Sequence, residues 1–121
     1  MESIFNEKIV RSNTILYCEH WNKTIKFYRD ILKLSITHET DWLVEFQLLD
    51  HAYLSIADAH RATIQSAKGI GLTLSFKVED VDRAHGLLCG LGIKVSEIKS
   101  IWGERAFYLH DPEGHRIELW T

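Results

Sequence analysis

Between residues 72 and 78 the chain alternates strictly. Leu72, Leu74, Phe76 and Val78 are apolar, and Thr73, Ser75 and Lys77 lie between them. A period of two is the mark of a strand with one covered face. The apolar set is expected to cover a helix, which leaves Thr73, Ser75 and Lys77 on an open face. The period then lengthens: Ala84, Leu87, Leu88 and Leu91 line one side of a helix. Asp80 or Asp82 stands at its start, where a carboxylate accepts from the free N–H groups of the first turn. Gly90 and Gly92 offer a left-handed stop. Residues 73–95 therefore read strand, helix, strand.

Residues 13–36 read the same way. In register, Cys18-Glu19 falls on Val78-Glu79, Lys23 on Arg83, and Leu32-Lys33-Leu34 on Leu91-Gly92-Ile93. Asn22 is the expected polar start of this first helix, and Ile25, Tyr28 and Leu32 its apolar face. Strand parity puts Thr14, Leu16 and Cys18 inward and Asn13, Ile15 and Tyr17 on the open side. Further on, Val44-Glu45-Phe46-Gln47-Leu48-Leu49-Asp50 corresponds to Arg105-Ala106-Phe107-Tyr108-Leu109-His110-Asp111. Tyr53-Leu54-Ser55-Ile56 corresponds to Arg116-Ile117-Glu118-Leu119. The chain is thus expected to be one domain over residues 1–121, built from repeats at about 9–58 and 70–121. Residues 65–71 would connect them. The predicted class is α+β: two βαβββ modules whose curled mixed sheets surround a concave cleft.

The last hairpin turns at Asp111-Pro112-Glu113-Gly114. Proline at the second position and glycine at the fourth predict a type I turn followed by a left-handed bulge residue. That register pairs Asp111 with His115 and sets Tyr108 opposite Glu118. Phe107, Leu109, Ile117 and Leu119 then face the core. Ala106, Tyr108, His110, Arg116, Glu118 and Trp120 share the open face, as Glu45, Gln47, Tyr53 and Ser55 do by the repeat. Aromatic area from Tyr17, Tyr53, Tyr108 and Trp120 beside a few directed polar groups is the usual lining of a small-molecule site.

Composition narrows the partners. The 121 residues are 45% hydrophobic and 26% charged, enough for a core. A net charge of −3 with both signs mixed argues against a nucleic-acid partner, which needs clustered Lys and Arg. No apolar run approaches the roughly 20 residues that span a bilayer. Residues 1–13 lack the basic region and apolar core of a signal peptide. Cys18 and Cys89 lie in apolar segments and read as reduced core thiols of a cytoplasmic protein. With both thiols inward, no Cys-His or Ser-His-Asp arrangement is evident. The seven histidines form no HxxxH or HExxH pair. They are expected to be solvated or capping, with His110 able to touch a ligand and His115 pointing the opposite way.

Residues along almost the whole chain carry a resemblance. They are Asn13-Thr14-Ile15-Leu16, Ile25-Lys26-Phe27-Tyr28-Arg29-Asp30-Ile31-Leu32 and Phe76-Lys77-Val78-Glu79-Asp80-Val81-Asp82, then Trp102-Gly103-Glu104-Arg105-Ala106-Phe107 and Asp111-Pro112-Glu113-Gly114-His115-Arg116-Ile117-Glu118-Leu119. In these the chain resembles the glyoxalase/bleomycin-resistance/extradiol-dioxygenase superfamily, the vicinal-oxygen-chelate fold. Metal-dependent members such as glyoxalase I and the fosfomycin thiol transferases draw ligands from four open-face positions. On this sequence those are Asn13, Ser55, Thr73 and Glu118, of which only Glu118 is a strong donor. Zinc, nickel, iron and manganese sites need about three or four imidazole, thiolate or carboxylate donors. The resemblance therefore implies a member without metal or other cofactor.

It also implies a ligand site at Asn13, Tyr17, Gln47, Tyr53, Ser55, Thr73, Trp102, Arg105, Tyr108, Arg116, Glu118 and Trp120. Tyr108 falls where fosfomycin-type relatives carry a ligand-contacting tyrosine, and Trp102 and Arg105 fall at the cleft edge. Glu118 is either an inherited residue, neutralised by Lys77 or Arg116 or hydrated in an open cleft, or a partly desolvated carboxylate that acts as a base or binds a cationic ligand. Two functions stand at this point. One is a binding protein in the manner of the bleomycin-resistance proteins. The other is a lyase, isomerase or thiol transferase with Glu118 and Tyr108 as catalytic candidates or Glu118 as a residual metal ligand. Short relatives pair as homodimers, which would set Asn13 and Ser55 of one chain against Thr73 and Glu118 of the other.

Overall fold

The computed structural model describes residues 6–121, with the side chain of Ile101 left out. The signal-peptide reading falls partly on residues 1–5, outside those described. The strands are β1 (Ser12–Cys18), β2 (Ser35–Glu39), β3 (Leu43–Leu49), β4 (Ala52–Asp58), β5 (Thr73–Lys77), β6 (Lys99–Ile101), β7 (Glu104–His110) and β8 (Arg116–Trp120). They form two four-stranded sheets with the same internal order, β1-β4-β3-β2 and β5-β8-β7-β6. In each, the first strand runs parallel to the last and the others are antiparallel. The sequence repeat is thus a repeat of topology.

Alternation decides what is buried. Leu16 and Cys18, Val44 and Phe46, Leu54 and Ile56, Phe107 and Leu109, and Ile117 and Leu119 enter one core cluster with Leu74. Complete burial of such a side chain contributes about 1.5–3 kcal/mol. Thr14, assigned inward by parity, stays exposed on β1, an edge strand.

The helices depart further from the pattern. Helix α1 (Trp21–Lys26) runs into a π-helical turn, Phe27–Ile31, and the two bury Thr24, Ile25, Phe27 and Tyr28. Asn22 does not cap it, because His20 holds the cap position and no neighbouring side chain accepts from the first turn. The acceptor comes instead from the far end of the chain. Glu113 takes the N–H of Glu19 and of His20, each at 2.8 Å, on separate carboxylate oxygens. After the π turn Lys33 adopts φ 58°, and Gly92, its counterpart in the repeat, adopts φ 76°. Gly92 alone is the left-handed stop, since Gly90 is still helical in α2 (Val81–Gly90).

Asp80 caps α2 through the N–H of Arg83. The helix packs through Val81, Ala84, His85 and Leu88, and the His85 ring lies edge-on against Phe107 at 4.9 Å. That imidazole takes the place the hydrophobic pattern gave to leucines. Leu87 and Leu91 are therefore 60% and 57% exposed. Cys89, rotated out with them, is an exposed thiol and not a core one.

His85 also explains a missing strand. Residues 93–95 read as a strand in the sequence, but pairing with β7 begins only at β6. Its Nε2 donates to the carbonyl of Ser96 at 3.0 Å. The Tyr108 N–H is then taken by Ser96 Oγ at 2.7 Å, a side chain replacing the ladder acceptor. The β6–β7 turn passes through Trp102 and Gly103, both at positive φ, as a type I′ hairpin requires.

The hairpin between β7 and β8 matches its turn chemistry. Gly114 donates to the Asp111 carbonyl, and Asp111 N–H to the His115 carbonyl, with Tyr108 opposite Glu118. Its tip is the junction of the two modules. Asp111 Oδ1 accepts from the N–H groups of Glu113, Gly114 and His115, and Oδ2 from Tyr28 OH at 2.7 Å and His115 Nδ1 at 2.8 Å. His115 is therefore a buried, bonded histidine, where a solvated or capping one was expected. Gly114 also lies against the connection. A Cβ built on Gly69 would fall 2.2 Å from the Gly114 carbonyl, and one on Gly114 would fall 2.8 Å from the Lys68 oxygen.

Candidate functional site

The open face of the second sheet is a set of cross-strand rows. Strand β8 pairs Arg116 with Thr73, Glu118 with Ser75 and Trp120 with Lys77 of β5. On its other side it pairs Glu118 with Tyr108 and Arg116 with His110. In the middle row Ser75 Oγ donates to Glu118 Oε1 at 2.5 Å and Tyr108 OH to Oε2 at 3.1 Å. Arg116 donates through Nε to Thr73 Oγ1 at 2.9 Å, and its guanidinium lies 4.8 Å over the Tyr108 ring. Lys77 Nζ stands 5.2 Å over the Trp120 ring.

Of the sequence readings of Glu118, neutralisation by Lys77 or Arg116 needs adjusting. Among the described residues Lys77 and Arg116 cap aromatic rings and form no ion pair with Glu118. Its two oxygens are met by neutral hydroxyls. The effect shows on the donor: the bond to Glu118, then burial, holds the Tyr108 phenol above its ordinary value.

The first sheet carries a second polar face. Arg11 pairs with Glu45 at 2.6 Å and its guanidinium lies 3.7 Å over the Tyr53 ring. Thr37 Oγ1 donates to Glu45 Oε1 at 2.8 Å. The Arg11 hydrogen bond, above all, holds the Glu45 carboxyl below its ordinary value. Ser55 Oγ donates to Asn13 Oδ1 at 2.9 Å, and Ser55 is fully buried, at 0% exposure. Ser55 is therefore sealed by its neighbours in the single chain, a correction to its reading as a ligand contact. Tyr17, Gln47 and Tyr53 are half-buried on this sheet.

Two expected site residues lie on neither face. Arg105 sits on the helix side of β7 and pairs with Asp82 of α2 at 2.6 Å. Its parity is that of Phe107 and Leu109, so it points away from Tyr108. Trp102 is 96% exposed at the tip of the β6–β7 hairpin and touches no cleft edge. Conversely, Ser75, Lys77 and Arg11 join the two faces without having been named as ligand contacts. Ser75 and Lys77 were legible by parity; Arg11 precedes β1 and belongs to no strand, so no periodicity marks it.

Among the described residues the hydrogen bonds and ring contacts of each face stay within its own sheet. Tyr108 and His110 of the second face also line a groove of 530 Å³, together with Phe27, Ile93, Val95 and Pro112.

The four positions where metal-dependent relatives hold their ion do not suit one here. Asn13 accepts from Ser55 and Thr73 from Arg116, and Glu118 alone is anionic. Three neutral oxygens and one carboxylate fall short of the donor strength that a transition metal requires. Among the described residues, no three His, Cys, Asp or Glu side chains are grouped to hold a metal ion. No helix among them is long and apolar enough to cross a membrane.

Known proteins share this architecture. The uncharacterised protein YraH of Bacillus subtilis (strain 168) is 28% identical over 122 residues, covering 87% of this chain and 92% of that one. A lactoylglutathione lyase from Agrobacterium tumefaciens superposes with a TM-score of 0.75 at 22% identity, over 90% of each chain. A glyoxalase/bleomycin resistance protein/dioxygenase from Nocardioides gives 0.79 at 17% identity, over 98% of this chain and 85% of the other. At such identities the two solved structures speak to fold alone. The family model of the glyoxalase-like domain matches residues 11–121. With that match over nearly its whole length, this chain belongs to the glyoxalase-like domain family of the vicinal-oxygen-chelate superfamily.

Proposed function

We propose that the chain is a metal-independent binding protein for a small aromatic or amine-bearing molecule, held on the open face around Tyr108 and Glu118. The carrying observation is the state of the Glu118 carboxylate. Each oxygen accepts from one hydroxyl, and a carboxylate has about four acceptor positions. Capacity therefore remains for a ligand N–H pair. Tyr108 and Trp120 flank that position with aromatic area, and Lys77 and Arg116 above their rings can meet an anionic group of the same ligand. Thr73 completes the set, and Gln47, Tyr17, Tyr53 and Asn13 offer an opposing wall.

The reading includes an assembly. Each polar face is open on its own, so a cleft closed across a homodimer, one face from each chain, best accounts for two half-buried surfaces. The unit is one domain over residues 1–121, of repeats 9–58 and 70–121, acting in the cytoplasm, where neither Cys18 nor Cys89 is needed as a structural disulfide.

A thermal-shift screen of aromatic amines and aromatic carboxylates tests the binding claim. Hits are expected to lose their shift in Tyr108→Ala and in Glu118→Gln. Hits indifferent to both changes would move the site elsewhere. A stoichiometric transition metal in protein purified without chelator, lost in Glu118→Ala, would refute metal independence.

The Tyr108–Glu118 bond favours one second reading, a lyase or isomerase. There Glu118 takes a proton and Tyr108 donates to a developing oxyanion. Conversion of a hit that Glu118→Gln still binds but no longer turns over would select the enzyme.

A further inference from the structure

Cys89 and His85 stand one turn apart on α2, and the thiol is exposed. His85 Nε2 is 3.0 Å from the Ser96 carbonyl oxygen. A carbonyl only accepts, so Nε2 carries a proton, and in the neutral ring Nδ1 keeps the lone pair. That Nδ1 lies 3.7 Å from Cys89 Sγ, within hydrogen-bond reach of a thiol. The ring is fixed a second way, edge-on to Phe107 at 88°. Nucleophile, base and orienting acceptor are thus in line, the general pattern of an activated thiol. Cys18 is the contrast: buried, donating to the Leu16 carbonyl, and pushed up to about 12 by burial and then by the Glu113 and Asp111 charges.

We propose that Cys89, with His85 as its base, is a modification site that exchanges with low-molecular-weight disulfides. It lies on the outer helix and not on either polar face. In the step, the Cys89 S–H proton passes to His85 Nδ1 as Sγ attacks one sulfur of the reagent. A new S–S bond forms and the reagent S–S bond breaks. The departing thiolate takes the proton back from His85. The disulfide reagent supplies the oxidising equivalent, and no other reactant is required. Cys89 sits at the negative end of the α2 dipole, which opposes a lone thiolate but favours an imidazolium beside it. The geometry therefore makes the thiol depend on His85.

The test measures exchange with 5,5′-dithiobis(2-nitrobenzoate) on the folded full chain at fixed pH, with the site assigned by peptide mass. The reference is the thiol introduced by Arg83→Cys in a Cys89→Ser chain. It is exposed on the same helix, near the end that favours a thiolate, and has no histidine one turn away. Cys89 is expected to react at least tenfold faster than that reference. His85→Phe keeps an aromatic edge against Phe107 and is expected to bring Cys89 down to the reference rate or below it. Equal rates for Cys89 and the reference would overturn the proposal, whether or not His85→Phe folds. So would a folded His85→Phe that reacts as fast as the parent.

Discussion

Glu113 ties the last hairpin to the first helix, and Glu113→Gln measures that tie. The parent carboxylate, 6% exposed, accepts from Glu19 N, His20 N and the Ser66 hydroxyl. Hydrogen bonds to a charged group contribute about 1.5–3 kcal/mol each, and neutral ones about 1 kcal/mol. The amide oxygen of glutamine keeps one N–H bond in neutral form. Its NH₂ group faces the second N–H and leaves it unmet, while Ser66 can rotate to donate elsewhere. The loss is about 2–4 kcal/mol, and relief of burying a carboxylate offsets about 1 kcal/mol of it. A net cost of about 2 kcal/mol, with a urea slope of about 2 kcal/mol/M, lowers the midpoint by about 1 M.

The pH dependence sharpens the test. Burial pushes the Glu113 carboxyl up, but the bonds from Ser66, His20 and Glu19 outweigh it and hold it below its ordinary value. A carboxyl lowered by folding stabilises above its unfolded value of about 4.3, and this is lost as pH falls through the folded value. The gap between parent and Glu113→Gln is therefore fully present near pH 6–7 and narrows as pH falls below about 4. Coincident urea curves at pH 7, or a gap unchanged near pH 3, would refute the account of this junction.

Three other outcomes are expected. Tyr28→Phe removes the bond to Asp111 Oδ2 but leaves that carboxylate four donors; the cost by chemical denaturation is about 1.5–3 kcal/mol with an unchanged slope. Gly69→Ala places a Cβ 2.2 Å from backbone at φ +81°, and the loss is about 3 kcal/mol or more, read as a fall in Tm. Glu118→Gln brings the Tyr108 phenol back toward about 10, seen as an earlier phenolate absorbance rise that Tyr108→Phe removes.

Much of the fold was legible because its causes are local. Alternation placed Leu74, Phe107 and Ile117 in the core, and Pro112 with Gly114 set the register that puts Tyr108 beside Glu118. The open face of the second sheet followed from that register. What escaped depends on distant partners. The cap of α1 lies 94 and 93 residues away in sequence, so Asn22 looked sufficient. One imidazole, His85, turned Leu87, Cys89 and Leu91 outward and dissolved a strand by claiming the Ser96 carbonyl. Nothing in hydrophobic periodicity announces such a role for histidine. Arg105 was misplaced because family position outweighed its own parity with Phe107.

The close approach of Gly69 to Gly114 has a consequence for the length of the connection. Lengthening a surface loop ordinarily costs only about 0.6 kcal/mol per doubling. Here the segment is pinned at both ends of a short span. Ser66 bonds Glu113, and three residues later bare backbone rests on bare backbone. A residue inserted between positions 66 and 69 would put a side chain into that crossing or pull Ser66 off Glu113. An insertion among residues 62–65 has neither effect. The loop thus works as a gauge: its first half can vary in length, and its second half counts residues.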